Sequence, residues 1–229
     1  MINALMRALM RTLTQTFLVG LFELRGKANV PRTGPLLVCS NHSATLDPPM
    51  VPAFLPRGDC WSMAKSEYFL NPVVNTLFKL YHAFPVVRHT ADRAALRRSL
   101  DLLKNRHALL IYPEGTRVDS GGLAAPEPGA GFIALKAACP VLPVALTGTR
   151  ECLPRGARWP RRVPVKVSFG IPFMVNPQRP DGSRVTHAEA SDAIMLAIAE
   201  LLPPGQRGAF SDVEGLRQRL FGVTRPCNP

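Results

Sequence analysis

Asn41-His42 and Asp47 lie on one short polar stretch, Asn41-His42-Ser43-Ala44-Thr45-Leu46-Asp47, directly after the apolar run Leu36-Leu37-Val38-Cys39. A histidine titrates near neutral pH and can take the proton of a weak nucleophile such as a hydroxyl. A carboxylate close by can hold its other ring nitrogen in the right tautomer. The bare His-x4-Asp pair is a weak signal: with 5 His and Asp at eight positions, chance supplies one about one time in six. Requiring the preceding Asn lowers that to roughly one in a hundred and seventy. A second polar turn, Pro113-Glu114-Gly115-Thr116-Arg117, follows another apolar run, Ala108 to Tyr112, and the combination is the specific signal. Ser40 and Ser43 flank His42 and could in principle be nucleophiles, but no Gly-x-Ser-x-Gly elbow is present; direct transfer to an acceptor is the simpler chemistry.

The elements that must position these residues alternate. Leu36 to Cys39, Ala108 to Tyr112 and Val141 to Leu146 read as strands buried on both faces, and Val163 to Phe169 alternates like an edge strand. Leu96, Leu100 and Leu103 repeat at helical spacing after Thr90 and Asp92, and Gly131 to Ala138 reads as a further helix. Thr186 and Glu189 form a capping-box pattern ahead of Ile194, Ala197, Ile198 and Leu201, and Pro203-Pro204-Gly205 ends that helix. Strand then helix, repeated, predicts an α/β single domain with a largely parallel sheet flanked by helices. Both polar turns then fall beyond carboxyl ends of strands, where open sheets gather their ligands. The expected organisation is an N-terminal amphipathic helical segment over 1–24, the α/β domain over 25–204 with a surface loop at 121–129, and a basic tail over 205–229.

With 229 residues and a formal charge of +12, the chain is long enough for one sizeable core and suited to an anionic partner. Nucleic acid is not expected, because aromatics are 7% and no zinc-finger or helix-turn-helix spacing is visible. The five cysteines lack a C-x-x-C pair, and His82, His89, His107 and His187 show no metal-ligand spacing, so no metal is expected. At the N-terminus, Asn3, Arg7, Arg11 and Gln15 form a polar stripe, and Leu5, Leu9, Leu13 and Phe17 an apolar one. The longest clean apolar run, Phe17 to Phe22, is too short to span a bilayer or serve as a signal core. Periodicity alone leaves two destinations for the apolar stripe: a membrane interface, or the protein's own core. Trp61 reads as a packing residue, and Trp159, between Arg158 and Pro160, could touch an interface.

Taken together, these motifs resemble the glycerolipid acyltransferase family, most closely its bacterial 1-acyl-glycerol-3-phosphate acyltransferases. Asn41-His42-x4-Asp47 is similar to the first motif, Phe84-Pro85-Val86-Val87-Arg88 to the second, Tyr112-Pro113-Glu114-Gly115-Thr116-Arg117 to the third and Val141-Leu142-Pro143-Val144 to the fourth. Ala64-Lys65 also sits where members carry Ala-Lys. The resemblance implies acyl transfer from acyl-CoA or acyl-carrier protein to the sn-2 hydroxyl of 1-acyl-glycerol-3-phosphate, without a cofactor. His42 and Asp47 would be catalytic. Arg88, Glu114, Gly115, Thr116 and Arg117 would bind the acceptor's phosphate, with Asn41 and Lys65 in support. It also implies a peripheral, monotopic protein on an anionic membrane surface at the cytoplasmic face of the cell membrane. Alternatives are acylation of glycerol-3-phosphate or another lysolipid, and a basic anionic-lipid or nucleic-acid binding module without catalysis. Two departures bear on acceptor choice: Pro126-Glu127-Pro128 where a basic residue is common, and Val87 where a polar one often precedes the Arg.

Overall fold

The predicted apolar runs are strands of one sheet in a computed structural model, which describes residues 2–88, 90, 92–119 and 121–227; His89 lies outside them. In chain order the elements are α1 (Ile2–Phe17), β1 (Phe22–Arg25), β2 (Leu36–Ser40), α2 (Asp47–Phe54), β3 (Cys60–Lys65), α3 (Pro72–Leu80), β4 (Ala83–Val86), α4 (Arg93–Lys104) and β5 (Ala108–Ile111). The chain continues through α5 (Gly129–Ala137), β6 (Val141–Thr147), α6 (Thr149–Cys152), β7 (Val165–Phe169), β8 (Phe173–Val175), α7 (His187–Leu201), α8 (Val213–Arg219) and β9 (Thr224–Pro226).

Seven strands run in the order β1-β7-β6-β2-β5-β3-β4. The five from β6 to β4 are mutually parallel, with Val38 opposite Leu110 on one side and Leu142 on the other. Every residue of β2 and β5 is buried, because helices cover both faces of the sheet. α4, α5 and α7 pack on one face around Leu109, Ile133, Ile194 and Ile198; α1 and α2 lie on the other, over Val38, Phe54, Leu110 and Val167. α5 and α7 meet at Gly131, where a Cβ would stand 2.0 Å from the His187 carbonyl oxygen. Ser191 Oγ fixes the same crossing by accepting from the Gly131 N–H at 2.9 Å and donating to the Glu127 carbonyl at 3.1 Å.

Two expectations need correction. The strand at Val163 to Phe169 is not an edge: β7 pairs antiparallel with β6 and parallel with β1, whose Phe22-Glu23-Leu24-Arg25 carries the true edge. The segment expected as a basic tail is part of the fold over residues 205–227, because Phe210, Leu220 and Val223 enter the core and β9 pairs with β8. The polar turn at Asn41 to Asp47 runs into a helix: α2 begins at Asp47, since Pro48 and Pro49 occupy a first turn whose N–H groups have no intrahelical partner.

α1 docks on α2 by its polar side. Asn3, Arg7 and Thr14 are buried, and Leu5, Leu9 and Leu13 are 69%, 57% and 56% exposed. Arg7 donates to the carbonyls of Pro52 and of Leu55, the latter at 3.1 Å, capping the C-terminal end of α2 with a cation. Asn3 Nδ2 donates to the Leu80 carbonyl at the end of α3 at 3.1 Å. The apolar stripe therefore does not cover the protein's own core.

Candidate active site

Parallel strands bring the two polar turns together at the carboxyl edge of the sheet. His42 follows β2, Glu114 follows β5, Arg88 follows β4, and Lys65 is the last residue of β3. Asp47, fully buried at the start of α2, places Oδ2 2.9 Å from His42 Nδ1 and accepts the N–H groups of Ser43 and Ala44, each at 2.7 Å. A carboxylate accepting at Nδ1 requires that nitrogen to carry the proton, which makes Nε2 the basic nitrogen of the ring. Asp47 Oδ1 is buried with no hydrogen-bond partner among the described residues.

The second turn grips the first. Glu114 Oε2 accepts the His42 N–H at 2.9 Å and Oε1 accepts the Ala124 N–H at 3.0 Å. The Val118 N–H donates to the His42 carbonyl at 2.9 Å. The Tyr112 ring stacks on the imidazole with centroids 4.3 Å apart. Burial raises the Glu114 carboxyl to about 7 against the opposing pull of its two N–H donors. Burial also pushes the Tyr112 phenol up, and its hydroxyl has no hydrogen-bond partner among the described residues.

His42 lines a cavity of about 520 Å³ bounded by β3, β5, α4 and α5, with Met63, Leu96, Ile111, Phe132 and Ile133 as its apolar wall. Arg88, Gly115 and Glu127 line it too. Gly115 has φ +69°, and a Cβ there would meet Glu127 Cγ at 3.0 Å. The loop that carries Arg88 is shaped by Asp92, which caps α4 through Ala94 and Ala95 and accepts the Val87 N–H at 2.9 Å. Those N–H groups hold its carboxyl below the usual range.

The other expected residues stand around this centre. Asn41 pairs by both ends of its amide with Leu146 of β6, donating to the carbonyl at 2.9 Å and accepting the N–H at 2.8 Å. Arg117 Nη1 donates to Thr45 Oγ1 at 2.7 Å, tying the two turns at the rim, and Thr116 is exposed. Lys65 pairs with Glu67 at 2.8 Å. Glu114, Thr116, Arg117 and Lys65 are not among the cavity's lining residues. Sequence reasoning missed the clamp that Glu114 and Val118 put on the His42 backbone, since contacts across some 72 residues leave no periodic signal.

Known proteins carry the same frame. A family model described as Acyltransferase matches residues 21–147. A chloroplastic 1-acyl-sn-glycerol-3-phosphate acyltransferase of Brassica napus is 30% identical over 139 residues, covering 59% of this chain and 40% of its own. The 1-acyl-sn-glycerol-3-phosphate acyltransferase of Bacillus subtilis (strain 168) is 28% identical over 126 residues, 55% of this chain and 62% of its own. Each match thus spans less than two thirds of the relative's length. In fold, the chain is similar to the 1-acyl-sn-glycerophosphate (LPA) acyltransferase PlsC from Thermotoga maritima, with a TM-score of 0.68, 23% identity and coverage of 86% of this chain and 78% of that one. The stretch matched by the family model runs from β1 to the end of β6 and contains both turns that clamp His42; by that match, over more than half its length, the chain belongs to the acyltransferase family.

Proposed function

We propose that this protein transfers a fatty acyl group from an acyl-CoA or acyl-carrier-protein thioester to the sn-2 hydroxyl of 1-acyl-glycerol-3-phosphate, giving phosphatidic acid. His42 Nε2 takes the hydroxyl proton as the oxygen attacks the thioester carbonyl; the C–S bond then breaks and the thiol leaves with that proton. Asp47 holds Nδ1 throughout and steadies the imidazolium. Arg88 and Arg117 hold the acceptor's phosphate by charge-assisted hydrogen bonds at the edge of the cavity, beside Gly115 and Thr116. Glu114 serves that pocket by ordering the turn, with Asn41 and Lys65 in support. The observation that carries this reading is the buried His42–Asp47 pair opening on an apolar cavity large enough for an alkyl chain.

No helix among the described residues is long and apolar enough to cross a membrane. The exposed stripe Leu5, Leu9, Leu13 and Phe17 supports a peripheral seat at a membrane interface, and the seat we propose is an anionic surface at the cytoplasmic face of the cell membrane. Each such side chain fully buried in lipid contributes about 1.5–3 kcal/mol. The test is mass spectrometry of products from the full chain given long-chain acyl-CoA or acyl-carrier protein, with 1-acyl-glycerol-3-phosphate, glycerol-3-phosphate or phosphate-free lysolipids as acceptors. Phosphatidic acid from the first acceptor is expected. Turnover confined to another acceptor would overturn the substrate assignment, and silence with all would overturn the activity.

A further inference from the structure

The chain between α6 and β7, residues 153–164, has no part in the mechanism above, yet it presents Trp159 with 73% of its surface exposed. Arg158 lies over that ring, 5.9 Å from its centroid. Arg155, Arg158, Arg161 and Arg162 are all exposed. Of the four, Arg155 alone has a carboxylate partner among the described residues, Asp119 at 2.6 Å. The segment is held at its return: the Arg161 N–H donates to the Cys152 carbonyl at 2.7 Å, and Arg162 Nη2 reaches the Val19 carbonyl at 3.3 Å. That last bond sets it beside the end of α1, where Phe17 and Val19 are themselves exposed.

An indole ring prefers the boundary between lipid and water, where its apolar body and its N–H are both accommodated. Guanidinium groups match phosphate oxygens in pairs, and basic residues near an anionic bilayer strengthen attachment. We propose that residues 153–164 form a second membrane-binding element, with Trp159 in the headgroup layer and Arg158, Arg161 and Arg162 on the phosphates of anionic lipid. The proposal rests on the interfacial reading of α1 and supplies what that helix lacks. Arg7 is buried under α1 and only Arg11 of its basic residues is exposed, so α1 brings apolar area and the loop brings selectivity for charge. Continuity with the apolar stripe favours lipid over nucleic acid.

The experiment uses the full chain with Trp61→Phe, leaving Trp159 as the sole indole, and vesicles of phosphatidylcholine with or without phosphatidylglycerol. Phosphatidylglycerol should shift Trp159 emission to the blue, and lipids brominated on their chains should quench it. In the otherwise unchanged chain, Arg158→Gln with Arg161→Gln and Arg162→Gln should weaken sedimentation with those vesicles more than tenfold, since each Arg near the surface is worth about fivefold. Turnover on detergent-dispersed substrate should not change. Vesicle binding with unshifted emission and an unaffected triple variant would overturn the loop's role and leave α1 as the attachment. Failure to bind either vesicle would overturn both readings. Binding of a single-stranded oligonucleotide that the triple variant loses, with vesicle binding intact, would replace lipid by nucleic acid.

Discussion

The proposed role of base needs a ring that cannot turn away, and His42 is held by its ring, its amide and its carbonyl at once. Asp47→Asn can still accept at one oxygen, but its amide can turn its NH2 to Nδ1 and favour the wrong tautomer. Turnover should fall by a factor of about 10²–10⁴, with the unfolding midpoint changed far less, as steady-state rates beside thermal melts would show. Glu114 gives a different signature. Its folded carboxyl is raised from 4.5 to about 7, so the native state binds the proton more tightly than the unfolded chain. Its contribution is complete below pH about 4.5 and is lost as pH rises through about 7, to a total of at most about 3 kcal/mol. Between pH 5 and 8 the wild type should therefore lose more thermal stability than Glu114→Gln. Equal slopes would mean that the carboxyl titrates normally.

At the scale of elements, α2 joins the site to α1, the helix with the exposed apolar stripe. Asp47 sits at its N-terminal end and Arg7 on its last carbonyls, so both charges complement its dipole. Arg7→Ala should free α1 while leaving α2 buried, detected as faster proteolysis within residues 2–17 and a melting point lower by several degrees, each charged hydrogen bond contributing about 1.5–3 kcal/mol. Gly131→Ala should also destabilise, because backbone atoms of α7 occupy the place of the new methyl; a cost of about 1–3 kcal/mol is expected in denaturant titration. Which elements were legible in the sequence follows from the same packing. β2, β5 and β6 read clearly because burial on both faces leaves uninterrupted apolar runs. β1 did not, since four residues with alternating burial look like the end of α1. α2 was hidden by Pro48 and Pro49, which stand in its first turn, and by Pro52, which stands inside it. α3 buries none of its residues, and Val73 and Leu77 on its apolar side are exposed. His42 and Asp47 were legible because they are close in sequence, whereas the bracing by Glu114, Val118 and Tyr112 is made only by the sheet.

At the scale of the molecule, the sheet's carboxyl edge carries the His42–Asp47 pair and one outer face carries α1 with Leu5, Leu9 and Leu13 turned outward, within a chain of charge +12. Leu9→Glu with Leu13→Glu alters only exposed positions, so folding and turnover on detergent-dispersed substrate should persist while flotation with anionic vesicles falls at least tenfold. Unchanged flotation would remove α1 from the membrane account. The central claim is that the His42–Asp47 pair performs acyl transfer as a general base. It is tested most directly by the rate of phosphatidic acid formation from acyl-CoA and 1-acyl-glycerol-3-phosphate by the full-length wild type and by His42→Ala of matched melting temperature. The account predicts a loss of at least about a hundredfold; a His42→Ala protein that keeps the wild-type rate would contradict it.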